Sequence, residues 1–264
     1  MDTGGGPGTA VHVRRMTVAA AGLAFLLGAG VAWAESALIA VAANFSEVME
    51  RLEADFERQS PHALNVTVGS TGQLYAQIAN GAPFDVLLAA DQHRPQLLEQ
   101  KGLAVRGSRF TYATGKLTLW SPDAARIGPD GVEVLKAGDF RRLAMANPEV
   151  APYGAAARQT LEALGLYDEL RDRIVMGENI GQTHAMVATG NVELGMVALS
   201  YVQSPRNETP GSRWGVPQRL YDPIRQDAVL LTRAEDNSAA RDLLAYLRRP
   251  EVRALIAEYG YGVE

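Results

Sequence analysis

From residue 37 onward, short apolar runs alternate with stretches whose apolar residues recur at helical spacing. This alternation constrains the fold more than any other feature. A buried strand followed repeatedly by an amphipathic helix lays strands side by side in parallel sheets, with helices covering the faces. Ala37 to Ala43 reads as a buried strand, and Phe45, Val48, Met49, Leu52 and Phe56 then fall on one face of a helix. Leu64 to Val68 alternates as a strand, and Gly69-Ser70-Thr71-Gly72 turns into a helix closed by Asn80-Gly81. Phe84 to Ala90 is a further strand, followed by a helix ending near Gly102. The theme returns with strands at Leu143–Ala146, Ile174–Met176 and Leu194–Leu199, separated by helices over about 155–164 and 182–189. Ala228–Leu231 is one more strand, and two helices follow, the second with Pro250 at its first position. Ser204 to Arg225, rich in Pro, Arg and Gly, reads as a long connection.

The chain of 264 residues is long enough for two such sheets, of four or five strands each. Crossings near Thr114-Gly115 and over Pro223 to Asp227 give a discontinuous first lobe, residues 35–114 plus 226–264, and a second lobe of residues 115–225. Residues 1–34 read as a signal peptide. Arg14 and Arg15 precede an apolar run from Val18 to Val31, too short for a good membrane span, and Ala32-Trp33-Ala34 supplies the small-x-small pattern for cleavage. No other segment is long and apolar enough to span a bilayer, so the expected product is an exported, soluble, periplasmic protein. The absence of cysteine leaves packing to stabilise it. The formal charge of −5 becomes −6 without the two arginines and one aspartate of the leader. That balance argues against nucleic acid, which wants a basic face. Any anion bound here is therefore captured by local donors.

In open parallel sheets, ligands bind beyond the carboxyl ends of the strands, where helices begin. Four strand-to-helix junctions share one chemistry: Ala42-Ala43-Asn44, Gly69-Ser70-Thr71-Gly72, Ala151-Pro152-Tyr153-Gly154 and Glu178-Asn179-Ile180-Gly181-Gln182-Thr183. Each is small, hydroxyl or amide in character and nearly uncharged, and each offers backbone N–H groups at a helix start, a natural anion site. Each also has a plainer reading. Asn44 with Glu47 fits a capping box, Ser70-Thr71 a capped turn, Tyr153 a packed helix start, and Gln182-Thr183 a polar helix face. The convergence of all four, two per lobe, favours the anion.

No junction pairs a base with an acid, as both ends of an amino acid would require, and none gathers the aromatic rings a sugar stacks on. A fully deprotonated dianion has only acceptor oxygens, so its site presents donors and no buried carboxylate. Phosphate, which keeps a proton near neutral pH, would gain from an acceptor, for which Glu178 and Asp91 are the candidates. An enzyme is not expected. Gly69-Ser70-Thr71-Gly72 is not a nucleophile elbow, no histidine stands at another junction, and the four histidines have no zinc spacing. Asp85 and Asp91 flank a strand without marking a catalytic pair. His184 reads as a helix-surface residue.

Taken together, Val41-Ala42-Ala43-Asn44-Phe45, Gly69-Ser70-Thr71-Gly72-Gln73-Leu74, Gly81-Ala82-Pro83-Phe84-Asp85-Val86 and Ala89-Ala90-Asp91 resemble the periplasmic molybdate-binding proteins of ABC transporters. So do Asn147-Pro148-Glu149 through Gly154, Glu178 to Thr183, and Gly195 to Ser200. The resemblance covers nearly all of the chain after the leader. It implies the two-lobed α/β binding-protein fold, each lobe a mostly parallel sheet flanked by helices, with the ligand cleft between lobes. It implies molybdate, and tungstate beside it, as ligand rather than cofactor, an ABC membrane permease as partner, and a monomer. Carried over by motif, the oxyanion donors are Ala43, Asn44, Ser70, Thr71, Tyr153 and the backbone N–H of Ile180. Some members donate a tyrosine hydroxyl from the strand matched by Gly195–Ala198. Ala198 cannot, and the chain resembles the branch that uses the Asn and Pro-Tyr-Gly segments instead. The alternative ligand is another oxyanion such as sulfate or phosphate; the rivals of a different class are a hydrolase and a ligand-sensing domain.

Overall fold

The computed structural model describes Met1, residues 3–6 and residues 34–263; Arg14, Arg15, the apolar run from Val18 to Val31, Ala32 and Trp33 of the expected leader lie outside the described residues. Residues 34–263 belong to one compact unit. Among the described residues no helix is long and apolar enough to cross a membrane.

The first sheet contains β1 (Ser36–Ala42), β2 (Ala63–Gly69), β3 (Val86–Leu88), β4 (Phe110–Gly115) and β10 (Ile224–Leu230), in the order β2-β1-β3-β10-β4. The second contains β5 (Leu117–Ser121), β6 (Leu143–Ala146), β7 (Ile174–Gly177), β8 (Leu194–Ala198) and β9 (Ser212–Gly215), in the order β7-β6-β8-β5-β9. In each, four strands run in one direction and one, β10 or β5, runs against them, giving two parallel and two antiparallel pairings. Each sheet is thus mostly parallel, as expected, with one reversed strand that makes it mixed. The cause is chain path: β5 and β10 enter their sheets directly from the other one, without a crossover helix, and a parallel pairing needs such a crossover.

Helices cover both faces. In the first half, α1 (Ser46–Gln59), α9 (Ser238–Tyr246) and α10 (Pro250–Glu258) bury Val48, Met49, Leu52, Phe56, Leu243 and Ile256 against one face. On the other face lie α2 (Thr71–Ala79) and α3 (His93–Gln100), through Leu74, Ile78 and Leu98. In the second half, α4 (Gly131–Ala137), α5 (Pro152–Ala163) and α6 (Tyr167–Leu170) share one core with β5, β6 and β8, while α7 (Ile180–Ala188) and α8 (Leu199–Gln203) pack the opposite face. Caps follow the sequence: Ser70, Asp130, Asn179 and Asn237 accept backbone N–H bonds at the starts of α2, α4, α7 and α9, and Pro152 and Pro250 begin α5 and α10.

Three expectations are corrected. The stretch Ser204–Arg225 is not one long connection; it holds β9, which pairs with β5, and a 3-10 turn at Gln218–Leu220. Ser212-Arg213-Trp214-Gly215 is too short and polar to announce a strand, and becomes one only because β5 supplies its hydrogen bonds. The last strand of the first sheet begins at Ile224, four residues earlier than Ala228, and its extra residues pair with β4. Asn44 does not cap α1: its Nδ2 donates instead to Gln226 Oε1 at 2.9 Å and to the Tyr261 hydroxyl at 3.0 Å.

Candidate functional site

The carboxyl ends of β1, β2, β6 and β7 lead into the four junctions singled out above, and the fold brings all four together. One small cavity is lined by Ala42, Ala43, Asn44, Ser70, Thr71, Ala90, Ala151, Pro152, Tyr153, Asn179 and Ile180. The six predicted donors are all in that list, and none is more than 3% exposed, so a guest held here is out of contact with bulk water.

The walls meet because the two halves touch across the cavity. Gly72 N donates to Val150 O at 2.8 Å, Arg94 Nη2 to Glu149 O at 3.0 Å, and Ser200 Oγ to Asn44 O at 3.0 Å. The cleft is closed.

The hydroxyls at the second junction are oriented by what they accept. Ser70 Oγ takes Gln73 N at 3.4 Å and Thr71 Oγ1 takes Ala90 N at 2.9 Å. Each oxygen is thus committed as an acceptor toward the fold, and neither donates to a described protein group, which leaves both protons for a guest. The starts of α2, α5 and α7 add first-turn N–H groups that have no intrahelical partner by construction. Pro152 contributes none, so on α5 the series begins at Tyr153.

Among the described residues no charged side chain lines the cavity. The candidate acceptors for a protonated anion are placed elsewhere: Asp91 receives Arg94 N at 2.8 Å and Arg94 Nη1 at 2.6 Å, and Glu178 is not among the lining residues. Asp85 is likewise committed, to Leu38 N at 2.7 Å and to Arg233. Such a cavity, uncharged and with the Ser70 and Thr71 hydroxyl protons unspent, suits an anion whose oxygens only accept. Asn44 offers it the backbone N–H, since both Nδ2 protons go to Gln226 and Tyr261 and the buried Oδ1 is an acceptor.

Behind the cavity lies a buried polar network that sequence reading missed. Gln226 Oε1 accepts from Asn44 Nδ2 and from the Tyr112 hydroxyl at 3.0 Å, and Gln226 Nε2 donates to the Tyr153 hydroxyl at 3.3 Å. Tyr261 closes it by donating to Asn44 O at 2.6 Å. Burial pushes the Tyr112, Tyr153 and Tyr261 phenols up, so all three stay protonated and able to donate. A bulge between Gln226 and Asp227 lets adjacent residues of β10 serve different neighbours, Gln226 facing the cavity wall and Asp227 reaching Arg109, Thr111 and Gln92. The one sequence signal was the pair Gln226-Asp227 standing against an apolar run.

His184 is not a surface residue. It is sandwiched between the Trp120 and Tyr201 rings, with centroids at 5.1 and 4.8 Å, and burial brings its pKa down to about 4. The neutral ring is therefore favoured in the folded protein, while an unfolded chain takes up the proton near pH 6.5. Stability is full above pH 6.5 and falls as pH drops from there toward about 4, by about 2–3 kcal/mol over the window. Urea melts at pH 7 and 5 check this, and His184→Phe should flatten that part of the pH dependence.

Two mixed sheets closing on an uncharged cavity define a two-lobed binding-protein fold. A family model described as bacterial extracellular solute-binding protein matches residues 37–262, and the chain belongs to that family. It is 49% identical over 246 residues to the molybdate-binding protein ModA of Azotobacter vinelandii, covering 92% of this chain and 97% of that one. It is 44% identical to the ModA of Rhodobacter capsulatus, over 93% and 96% of the two chains. The solved structure of the Azotobacter vinelandii periplasmic molybdate-binding protein superposes with a TM-score of 0.83, at 39% identity, over 86% of this chain and 99% of that one.

Proposed function

We propose that this chain is a solute-binding protein that captures molybdate, and tungstate beside it, and delivers it to an ABC permease. The observation that carries this reading is the cavity itself: four helix-start junctions converge on a closed space lined by donors and, among the described residues, by no charged side chain. Molybdate and tungstate at neutral pH are tetrahedral dianions with acceptor oxygens only. Donors from Ala43, Asn44, Ser70, Thr71, Tyr153 and Ile180 would each contribute about 1.5–3 kcal/mol to a charged guest. The protein acts by binding alone, the two lobes (35–114 with 226–264, and 115–225) moving as bodies that open to admit the anion. Export to the periplasm, with cleavage after Ala34, places it where the permease can receive the closed form.

Calorimetric titration with molybdate, tungstate, sulfate and phosphate tests the reading. Tight binding of the first two with weak sulfate and phosphate is the expected result; tight sulfate or phosphate without molybdate would transfer the site to another oxyanion. Thr71→Val, which keeps shape but removes the hydroxyl, should weaken molybdate about tenfold or more. Its melting temperature should fall by about 2–10 °C, because the buried Ala90 N–H loses its acceptor, while the protein stays folded for the titration.

A further inference from the structure

Resting on the reading above, we infer that Tyr201 is a positioning residue, whose hydroxyl couples closure of the cleft to the strength of the Asn44 N–H as an anion donor. Tyr201 lies on α8 in the second half, yet its hydroxyl donates across the cleft to the carbonyl of Ala43. Ala43 and Asn44 are joined by a trans peptide, so the carbonyl that accepts Tyr201 and the N–H of Asn44 share one plane and point in opposite directions. A donor on the carbonyl polarises the whole amide and strengthens the N–H on the far side. It also fixes the orientation of that plane.

The surroundings hold Tyr201 to this task. Ser46 Oγ lies 3.3 Å from the Tyr201 hydroxyl and extends the chain of donors as Ser46 to Tyr201 to Ala43. His184 stacks on the Tyr201 ring with an interplanar angle of 9°, and burial raises the phenol to about 12, so the proton is retained. Gly181, the second residue of α7, lies beside it, and a Cβ there would stand 2.9 Å from the hydroxyl oxygen. A larger residue there would displace the phenol that crosses the cleft. Ala43 O also accepts the Ser46 N–H that closes the 3-10 turn, leaving Tyr201 as its donor from the second half. Asn44 O accepts from Ser200 Oγ at 3.0 Å and the Tyr261 hydroxyl at 2.6 Å, of which only Ser200 comes from the second half.

The test is stopped-flow and calorimetric binding of molybdate to wild type, Tyr201→Phe and Ser200→Ala, with melting temperatures and the amide-proton shift of Asn44 in each bound form. For Tyr201→Phe the dissociation rate should rise about tenfold at an unchanged association rate, with the Asn44 amide proton moving upfield. Ser200→Ala should change dissociation by only about twofold, because Asn44 O belongs to the following peptide and does not polarise the Asn44 N–H. If Tyr201→Phe binds and releases molybdate as wild type does, with the Asn44 shift unmoved, the inference is overturned. A loss confined to melting temperature would equally reduce Tyr201 to a packing role. Failure of wild type to bind molybdate or tungstate would instead overturn the functional reading on which the inference rests.

Discussion

Gly115→Ala is expected to weaken molybdate binding about 5- to 150-fold while leaving the anion-free protein folded. Gly115 is the last residue of β4, one step before the chain enters the second sheet. A Cβ added there would stand 2.1 Å from the Tyr153 hydroxyl and 2.7 Å from Gln226 Nε2. The glutamine end can swing aside. The phenol cannot, because its ring is rigid and wholly buried at the start of α5. One methyl group thus wedges apart the two halves at the place where Tyr153 crosses to Gln226. Overpacking of this kind costs about 1–3 kcal/mol, and here the cost falls on the closed form that holds the anion. Calorimetry reads the affinity, and small-angle scattering with and without molybdate reads closure. Unchanged affinity would show that Tyr153 does not need its position against Gly115.

Asp227→Ala should lower stability by about 3–5 kcal/mol, a fall on the order of 10 °C in melting temperature for a chain of this size. Asp227 is completely buried and accepts from Arg109 Nη1 at 2.6 Å, Thr111 Oγ1 at 2.7 Å and Gln92 Nε2 at 3.2 Å. Removing the carboxylate leaves a guanidinium with Glu99 alone and takes the acceptor from the Thr111 hydroxyl, while Gln92 Nε2 keeps Thr111 Oγ1 at 3.1 Å. The loss exceeds what any single exposed ion pair here could give, such as Arg158 with Glu162, since exposed pairs contribute under about 1 kcal/mol. Chemical denaturation of both proteins checks the value. Because Asp227 does not line the cavity, molybdate affinity measured below the melting range should stay within about threefold of wild type.

Much of the candidate site was legible because its parts are local. A strand followed by Ser70-Thr71, or by Asn179-Ile180, carries its own cap and its own helix start within a few residues. The alternation of buried strand and amphipathic helix likewise states the α/β class, and with it the rule that ligands gather at the strand ends. That all four junctions enclose one cavity follows from class and order together.

The tertiary structure alone decided what depends on partners distant in the chain. Asn44 meets Gln226 across 182 residues and Tyr261 across 217, and the Tyr201 hydroxyl reaches Ala43 across 158. Nothing in the residues beside Asn44 says that its amide is bound by that network rather than by its own helix, which is why a local cap stood as its plainer reading beside the anion. The antiparallel strands are a similar case: β9 exists because β5 lies beside it, and β10 gains its first residues from β4. Short-range patterns determine which segments become strands and helices and which turns offer donors. Which carbonyl a buried hydroxyl finds is settled only when two halves of the chain pack, since a hydrogen bond is fixed within a few tenths of an ångström and periodicity is not.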